Sequence, residues 1–381
     1  MSFIFFFLAL SVLVLIHEAG HYLAARFFGI KAEEFGFGFP PRLLGFVKDH
    51  GKWKRVGLKD QGGYPGTIWS INWLPLGGFV RIKGENPGHE NETDSLSAKP
   101  IWQRLIVMAA GVIMNWLLAI VLFSVVFWVG TTAYLENVPA GAVVRDQAIA
   151  ITEILPQAPA GAAGLMAGDH ILRLNGQDVR TADETRKLIQ DQGTNVMHLT
   201  LVRDKATQEI DVTPAYLTDI GRTGIGVGLA DVGTISLPPL SALRAGTVMT
   251  GQLTKAIVIG FGDIIRGLVT QRSVPAGVSG PVGIAIMAKD VAAQGVAPFL
   301  QFLGLLSVNL AVLNFLPIPA LDGGRAFFLI IEAIRKKPFN RAWEAGMHNI
   351  AFLLLLMLIA LITVRDLGHY SGTVSRLLQS I

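Results

Sequence analysis

The stretch LVLIHEAGHYLAARFF, residues 13–28, sets two histidines and a glutamate in a run of side chains otherwise suited to hydrocarbon. An ionisable group in the core of a bilayer costs about 3 kcal/mol on insertion scales unless it finds a partner, so such groups mark function. A neighbouring carbonyl can satisfy one of them. Three within five positions call for a shared partner. On a helix, residues four apart lie on one face, so His17 and His21 can aim two imidazole nitrogens at one cation. Glu18 stands beside the first of them, within reach of a water that the cation would polarise. The spacing His-Glu-x-x-His is short and recurs by chance in soluble helices; the apolar setting is what gives it weight here.

The rest of the chain agrees with that setting. Of its 381 residues, 51% are hydrophobic and 16% charged, against roughly 25% charged in an ordinary soluble protein. The bilayer is therefore the expected solvent. A net charge of +4, without an arginine-rich tract interleaved with aromatics, argues against nucleic acid as a partner. The chain contains no cysteine, which removes disulfides and every thiolate metal site. Any metal must sit on His, Asp or Glu.

A helix of about 20 apolar residues crosses the hydrocarbon core. Four segments meet or approach that length: residues 3–28, 104–130, 298–318 and 349–364. The first lacks the basic start of a signal peptide and carries Arg26 after its apolar run, so it reads as a retained anchor. Basic residues mark the cytoplasmic ends of spans. Arg26 and Lys31 follow the first, Lys99 and Arg104 precede the second, and Arg335, Lys336, Lys337 and Arg341 separate the last two. Both termini, and the long segment between the second and third spans, are then expected outside. Residues 253–271 carry few charges and read as an amphipathic helix on the outer leaflet, not as a fifth crossing.

Residues 136–231 read as a small outer α/β module. Strand, Pro/Gly turn, short helix, a second strand HILRLNG, a turn at Asn175-Gly176, a helix TADETRKLIQ and two alternating strands follow in order. The run AGLMAGDHILRLNGQDV resembles the bacterial PDZ pattern, and PDZ domains take up a peptide as an added edge strand. GFGF at 36–39 mimics the carboxylate loop of such a domain but stands far from it and is read as a decoy. From there to WLPLGGFVRIKG, short alternating runs broken by glycine indicate a β-hairpin or small sheet on the cytoplasmic face, with PLGGF apolar enough to dip into lipid.

A catalytic zinc takes three protein ligands and leaves one position for water. Position 27, where a histidine could serve, is Phe27, and Glu33 or Glu34 would have to fold back from the membrane surface. Asp322 remains. It lies in NLAVLNFLPIPALDGGRAFF, an isolated carboxylate between apolar flanks, just after Pro317 and Pro319 break the helix. Bringing Asp322 to His17 and His21 would satisfy all three with one ion.

HEAGH, GGFVRIKGE, AAGVIMNW, SGPVG and NFLPIPALDGG, in this order over nearly the whole chain, resemble the site-2 protease family of intramembrane zinc metalloproteases, in the bacterial branch that includes the regulator of sigma-E protease. The resemblance implies Zn2+ held by His17, His21 and Asp322, with Glu18 as general base and Asn314 and Pro317 lining the substrate cleft. Gly111 and Asn115 match a glycine-to-asparagine motif of the second span; at Gly111 close helix packing is the preferred reading. The family usually has proline after that glycine; here it is Val112. For Asn314 and Asn309 an interhelical hydrogen bond is the competing reading, and for SGPVG a plain Gly/Pro turn.

The expected fold is a polytopic α-helical membrane protein with about four transmembrane helices, a membrane-associated β-hairpin or sheet, and one extracytoplasmic PDZ (α/β) domain. Its expected order is a first span with HExxH (1–30), the β region (31–99), the second span (100–132), the PDZ domain (136–231), a membrane-surface region with SGPVG (232–296), the third span with the LDG motif (297–330) and the fourth span (348–366). The expected activity is cleavage of single-span membrane proteins, of the anti-sigma-factor or signal-peptide-remnant type. It would take place in a bacterial plasma membrane, with the active site towards the cytoplasmic side. The PDZ domain would screen substrates already trimmed by a site-1 type protease. Two other classes fit parts of the pattern: an inactive membrane-anchored PDZ scaffold, and a metal transporter. Neither needs a base beside the ligands.

Overall fold

The computed structural model describes residues 2–369 except 59, 61, 86–88, 90, 91, 204, 205, 219, 220, 271–279, 338 and 340. Ser279 of the SGPVG segment, and part of the 232–296 region, therefore lie outside the described residues. The chain forms two compact units, one of Met1–Ser124 with Leu243–Ile381, the other of Val125–Ala242.

In the first unit, α1 (Ser2–Phe27) carries the HEAGH run in its last third. Its 26 residues give about 39 Å of helix at 1.5 Å per residue, more than the ~30 Å of a hydrocarbon core. Strands β1 (Ala32–Asp49), β2 (Lys52–Val56) and β3 (Ile68–Ile82) follow as an antiparallel sheet in the order β2-β1-β3. The register includes Val47 opposite Ile68 and Phe35 opposite Val80. Buried Glu34 fixes β1 through a two-pronged ion pair from Arg42, at 2.8 and 2.7 Å. Helix α2 (Ile101–Val129) then packs on α1. Gly20 allows the approach, since a Cβ there would lie 2.4 Å from the Ala110 carbonyl oxygen.

In the second unit come β4 (Thr131–Tyr134), β5 (Val143–Ile154), α3 (Pro159–Ala162), β6 (His170–Leu174), β7 (Gln177–Asp178), α4 (Ala182–Asp191), β8 (Met197–Arg203), β9 (Ala206–Val212), β10 (Ala215–Leu217), β11 (Arg222–Gly224) and β12 (Val227–Ser236). The main sheet runs β4-β12-β5-β6-β8-β9, with β7 paired to β6. Alternation along β8 buries Met197, Leu199 and Leu201, which meet Ile149, Ile151 and Ile171 from neighbouring strands. Burying apolar area at roughly 25 cal/mol per Å2 makes this core the main stabilising term of the unit. Thr181 caps α4, its hydroxyl oxygen accepting the Glu184 N–H at 3.2 Å, the arrangement its Thr-x-x-Glu sequence favours.

The chain then returns to the first unit. Helix α5 (Pro239–Thr270) runs 32 residues, beginning well before the apolar stretch at 253. Helices α6 (Pro281–Gln294), α7 (Val296–Phe315), α8 (Asp322–Arg335) and α9 (Arg341–His369) complete it. Among the described residues three helices are long and apolar enough to cross a membrane, at Ile101–Val129, Val296–Phe315 and Trp343–Gly368. The third apolar segment ends at Phe315, and Asp322 opens a separate helix after the Pro317/Pro319 break. A core of Ala25, Ile30, Ile82, Val107, Met108 and Leu329 ties α1, β3, α2 and α8 together around the lower end of the HEAGH helix.

Candidate metal centre

Three ligand atoms from opposite ends of the chain meet. His17 Nε2 lies 2.8 Å and His21 Nε2 3.1 Å from Asp322 Oδ2, and the two Nε2 atoms are 3.2 Å apart. Both histidines are buried. Among the described residues this is the one group of three or more His, Asp or Glu able to share a cation; Glu33 and Glu34 do not belong to it.

The chemistry of the donor set tests whether a metal fits. His21 Nδ1 is 2.7 Å from the Val107 carbonyl oxygen, which can only accept, so Nδ1 carries the proton. In neutral His21 the remaining lone pair, on Nε2, then faces the Asp322 carboxylate oxygen with no hydrogen between them. A cation resolves that confrontation. Zinc–ligand bonds of about 2.0–2.1 Å put tetrahedral neighbours roughly 3.3 Å apart, and the three separations need to widen only slightly to match.

Helix α2 sets the orientation. His17 Nδ1 lies 3.1 Å from the Asn115 side-chain amide, and Asn115 is fully buried. When His17 Nε2 faces the ion, Nδ1 carries the proton and the Asn115 amide turns its oxygen, otherwise buried without a partner, to accept it. Asn115 and the Val107 carbonyl thus hold one imidazole each, the supporting role that fixes ligand tautomers in metal sites. The motif pointed to Asn115 without giving it a task, and a backbone carbonyl leaves no signal in sequence. Gly111 sits between them, where a Cβ would lie 2.4 Å from His21 Nε2 and 2.7 Å from His17 Nε2. Room for the imidazoles, more than helix packing, accounts for it.

Glu18 is held by β3: its Oε2 accepts the Val80 N–H at 3.0 Å. Gly77 N–H donates to Ser11 Oγ at 3.1 Å, so two amides of this strand turn towards α1. β3 is an edge strand of its sheet, and GGFVRI thereby lies along the helix that carries HEAGH. Asn314 Nδ2 is 3.4 Å from His17 Nε2; Pro317, three residues on, is exposed. Asn309 donates back to Leu305 O of its own helix at 3.1 Å. Ser307 Oγ donates to Asn115 O at 2.8 Å, tying α7 to α2 at the level of the site.

The second unit holds a groove of about 410 Å3 between α4 and the start of β12. Gly224-Ile225-Gly226-Val227 forms one wall, with Gly226 at φ +75°. This glycine–hydrophobic alternation escaped the sequence reading, which met the same pattern at 36–39. Asp169 stiffens the same unit. Burial alone would raise its carboxyl, but the Arg203 guanidinium, at 2.7 Å to each oxygen, and the Met166 N–H hold it below the usual aspartate value.

The lone pairs of this centre, its position in apolar helices and the adjoining glutamate define a class, the intramembrane metallopeptidases. Comparison with known proteins agrees: residues 5–358 match peptidase family M50, and the chain belongs to that family, the site-2 protease family of zinc metallopeptidases. It is 32% identical over 370 residues to "Putative zinc metalloprotease CPE1693" of Clostridium perfringens, covering 96% of this chain and 98% of the relative. With "Regulator of sigma-W protease RasP" of Bacillus subtilis it shares 30% identity over 93% of this chain and 96% of that one. Among solved structures, the PDZ domain of a Listeria monocytogenes SdrC-like protein aligns with 25% of this chain and 93% of its own, at 18% identity and a TM-score of 0.20. The PDZ reading of the second unit therefore stands on its own strand order and groove.

Proposed function

We propose that the chain is an intramembrane zinc endopeptidase that cuts single-span membrane proteins within or beside their spans, with His17, His21 and Asp322 as zinc ligands and Glu18 as general base. The observation that carries this reading is the meeting of three possible ligand atoms, from residues up to 305 positions apart, beside a glutamate held by a strand amide. A zinc ion bound there would polarise the scissile carbonyl and make water acidic enough to ionise near neutral pH. Glu18 takes the proton of that water and returns it to the leaving amine. Val80 N–H keeps the Glu18 carboxylate turned to the site.

The scissile peptide must be extended, because helical backbone is shielded by its own hydrogen bonds. The edge of β3 beside α1 supplies a strand for it to pair with, and Asn314 at the end of α7, with Pro317 in the connection that follows, borders the cleft. On this reading α1, α2, α7 and α9 are four spans of a bacterial plasma membrane, with the chemistry towards its cytoplasmic side. The PDZ unit lies outside, its α4–β12 groove receiving the new C-terminus of a substrate already cut by a site-1 type protease. A membrane-bound anti-sigma factor fits that description, in keeping with the RasP relative, as does a signal-peptide remnant.

Glu18→Gln is the test. Purified in detergent it should keep stoichiometric zinc and lose cleavage of a single-span reporter by about a hundred- to ten-thousandfold, the worth of a general base. Unchanged cleavage, or wild-type protein without zinc, overturns the assignment.

A further inference from the structure

Asp322 is the ligand that arrives from afar, and its place depends on the six-residue connection Leu316–Leu321 between α7 and α8. That connection is tightly folded. Ile318 N–H donates to Leu316 O at 2.7 Å and Leu321 N–H to Ile318 O at 3.1 Å. Gly323 and Gly324 lie against it so closely that Cβ atoms would fall 2.3 Å from the Phe315 and Leu316 carbonyl oxygens and 2.2 Å from that of Ile318. Ala320 sits in the left-handed region, φ +80°, where a non-glycine residue is held at a cost of about 1 kcal/mol or more unless its surroundings fix it. A side chain distant in sequence meets this backbone at that residue: Ala320 N–H donates to His348 Nδ1 at 2.8 Å.

His348 belongs to α9, the helix with the most exposed apolar surface, from Ile350 to Val364. Two polar pins hold it to the other helices. Near one end is His348, packed edge-on against Phe328 of α8 with ring centroids 5.7 Å apart; near the other, Asp366 accepts the Gly283 N–H of α6 at 2.8 Å. Accepting at Nδ1 requires neutral His348 with its proton on Nε2. Nε2 is buried without a hydrogen-bond partner on the protein and lines a cavity of about 200 Å3 with Glu344, Arg325, Glu85 and Arg104. That cavity is polar and large enough to supply a water.

The geometry points to His348 as a positioning residue for the metal carboxylate: through the Ala320 amide, α9 holds the connection in the one conformation that delivers Asp322 to His17 and His21. This rests on the reading of Asp322 as a zinc ligand. Neither a nearby aromatic nor a salt bridge would do the same, since what the loop requires is an acceptor at the Nδ1 position. Asparagine places Oδ1 there; glutamine places its oxygen one bond further, where Nε2 stands; leucine offers none.

The experiment compares His348→Leu, His348→Asn and His348→Gln in the full chain, in detergent. Two quantities are read: deuterium exchange of the 316–327 peptide, and zinc retention against a graded chelator. The Leu and Gln variants should exchange the Ala320 amide about tenfold faster and hold zinc about tenfold more weakly, in the range seen for lost ligand-supporting bonds. The Asn variant should return to within a factor of about three of wild type on both. Should Leu fail to fold, Gln against Asn makes the same comparison. Leu, Gln and Asn behaving alike, whether all like wild type or all impaired, would reject the positioning role. His17→Ala run alongside separates the two readings: if it keeps its zinc the ligand assignment is wrong, while the exchange data still decide on His348.

Discussion

At the scale of single residues, the imidazoles of α1 are aimed by groups that α1 does not contain. Asn115 and the Val107 carbonyl occupy the outer nitrogens, leaving the inner ones to face Asp322. Asn115→Leu keeps the volume and removes the acceptor, so it should weaken zinc binding by about ten- to a hundredfold, read by chelator competition. Asn309→Leu is the matched control: its amide serves Leu305 O in its own helix, and zinc should be unaffected. Gly111→Ala should be harsher than either, because a methyl 2.4 Å from His21 Nε2 forces an imidazole out of place; metal-free protein with an otherwise unchanged melting profile is the expected outcome. His17, Glu18, His21 and Asp322 were legible in the sequence because an unpartnered ionisable group in an apolar run is costly whatever the fold. The groups that orient them were less so, since an asparagine or a carbonyl becomes informative only when its partner is known.

At the scale of elements, local pattern was most readable where one period dominates. The alternation in β8, the cap before α4 and the proline break after α7 each follow from neighbours in sequence. β1 is different. It runs as strand through Gly36, Gly38, Pro40 and Pro41, residues disfavoured in strands, and its register with β3 is irregular from Phe37 to Arg42, with both prolines between paired residues, as at a bulge. The edge it leaves free on β3 supports Glu18. Val80→Pro removes the N–H that Glu18 accepts while leaving the side of the strand that pairs with β1, and kcat should fall about ten- to a hundredfold, the worth of a hydrogen bond to a charged group, with zinc content unchanged. In the second unit the Asp169–Arg203 pair makes a separate prediction. The carboxyl is held below its unfolded value of about 3.9, so the unfolded chain binds the proton first as pH falls. The stabilisation is complete above that value and is lost below it. Arg203→Met should therefore cost about 3 kcal/mol near neutral pH, as for other broken buried pairs, and the gap from wild type should narrow towards pH 3 in calorimetric scans.

At the scale of the whole molecule, the argument passes from side chains to solvent. The α2, α7 and α9 helices present apolar surface that water would not tolerate, and α9 is exposed along most of its length, as suits a helix that meets lipid on most sides. Length and composition make such helices able to cross; they do not say in which direction. Direction comes from charge. Arg335, Lys336, Lys337 and Arg341 cluster between α8 and α9, and basic loops stay in the cytoplasm, whereas an acidic folded unit translocates freely. Because the chain has no cysteine, single introduced thiols can report sidedness without a background. Asp191→Cys, at the end of α4, and Lys336→Cys, after α8, are both at exposed positions and outside the metal centre. In intact spheroplasts a membrane-impermeant maleimide should label residue 191 fully and residue 336 only after permeabilisation. The reverse pattern would turn the molecule over and place the peptide groove with the cytoplasm. Labelling of both in intact cells would mean that an even number of crossings separates residues 191 and 336, so that α7 is not the single crossing between them.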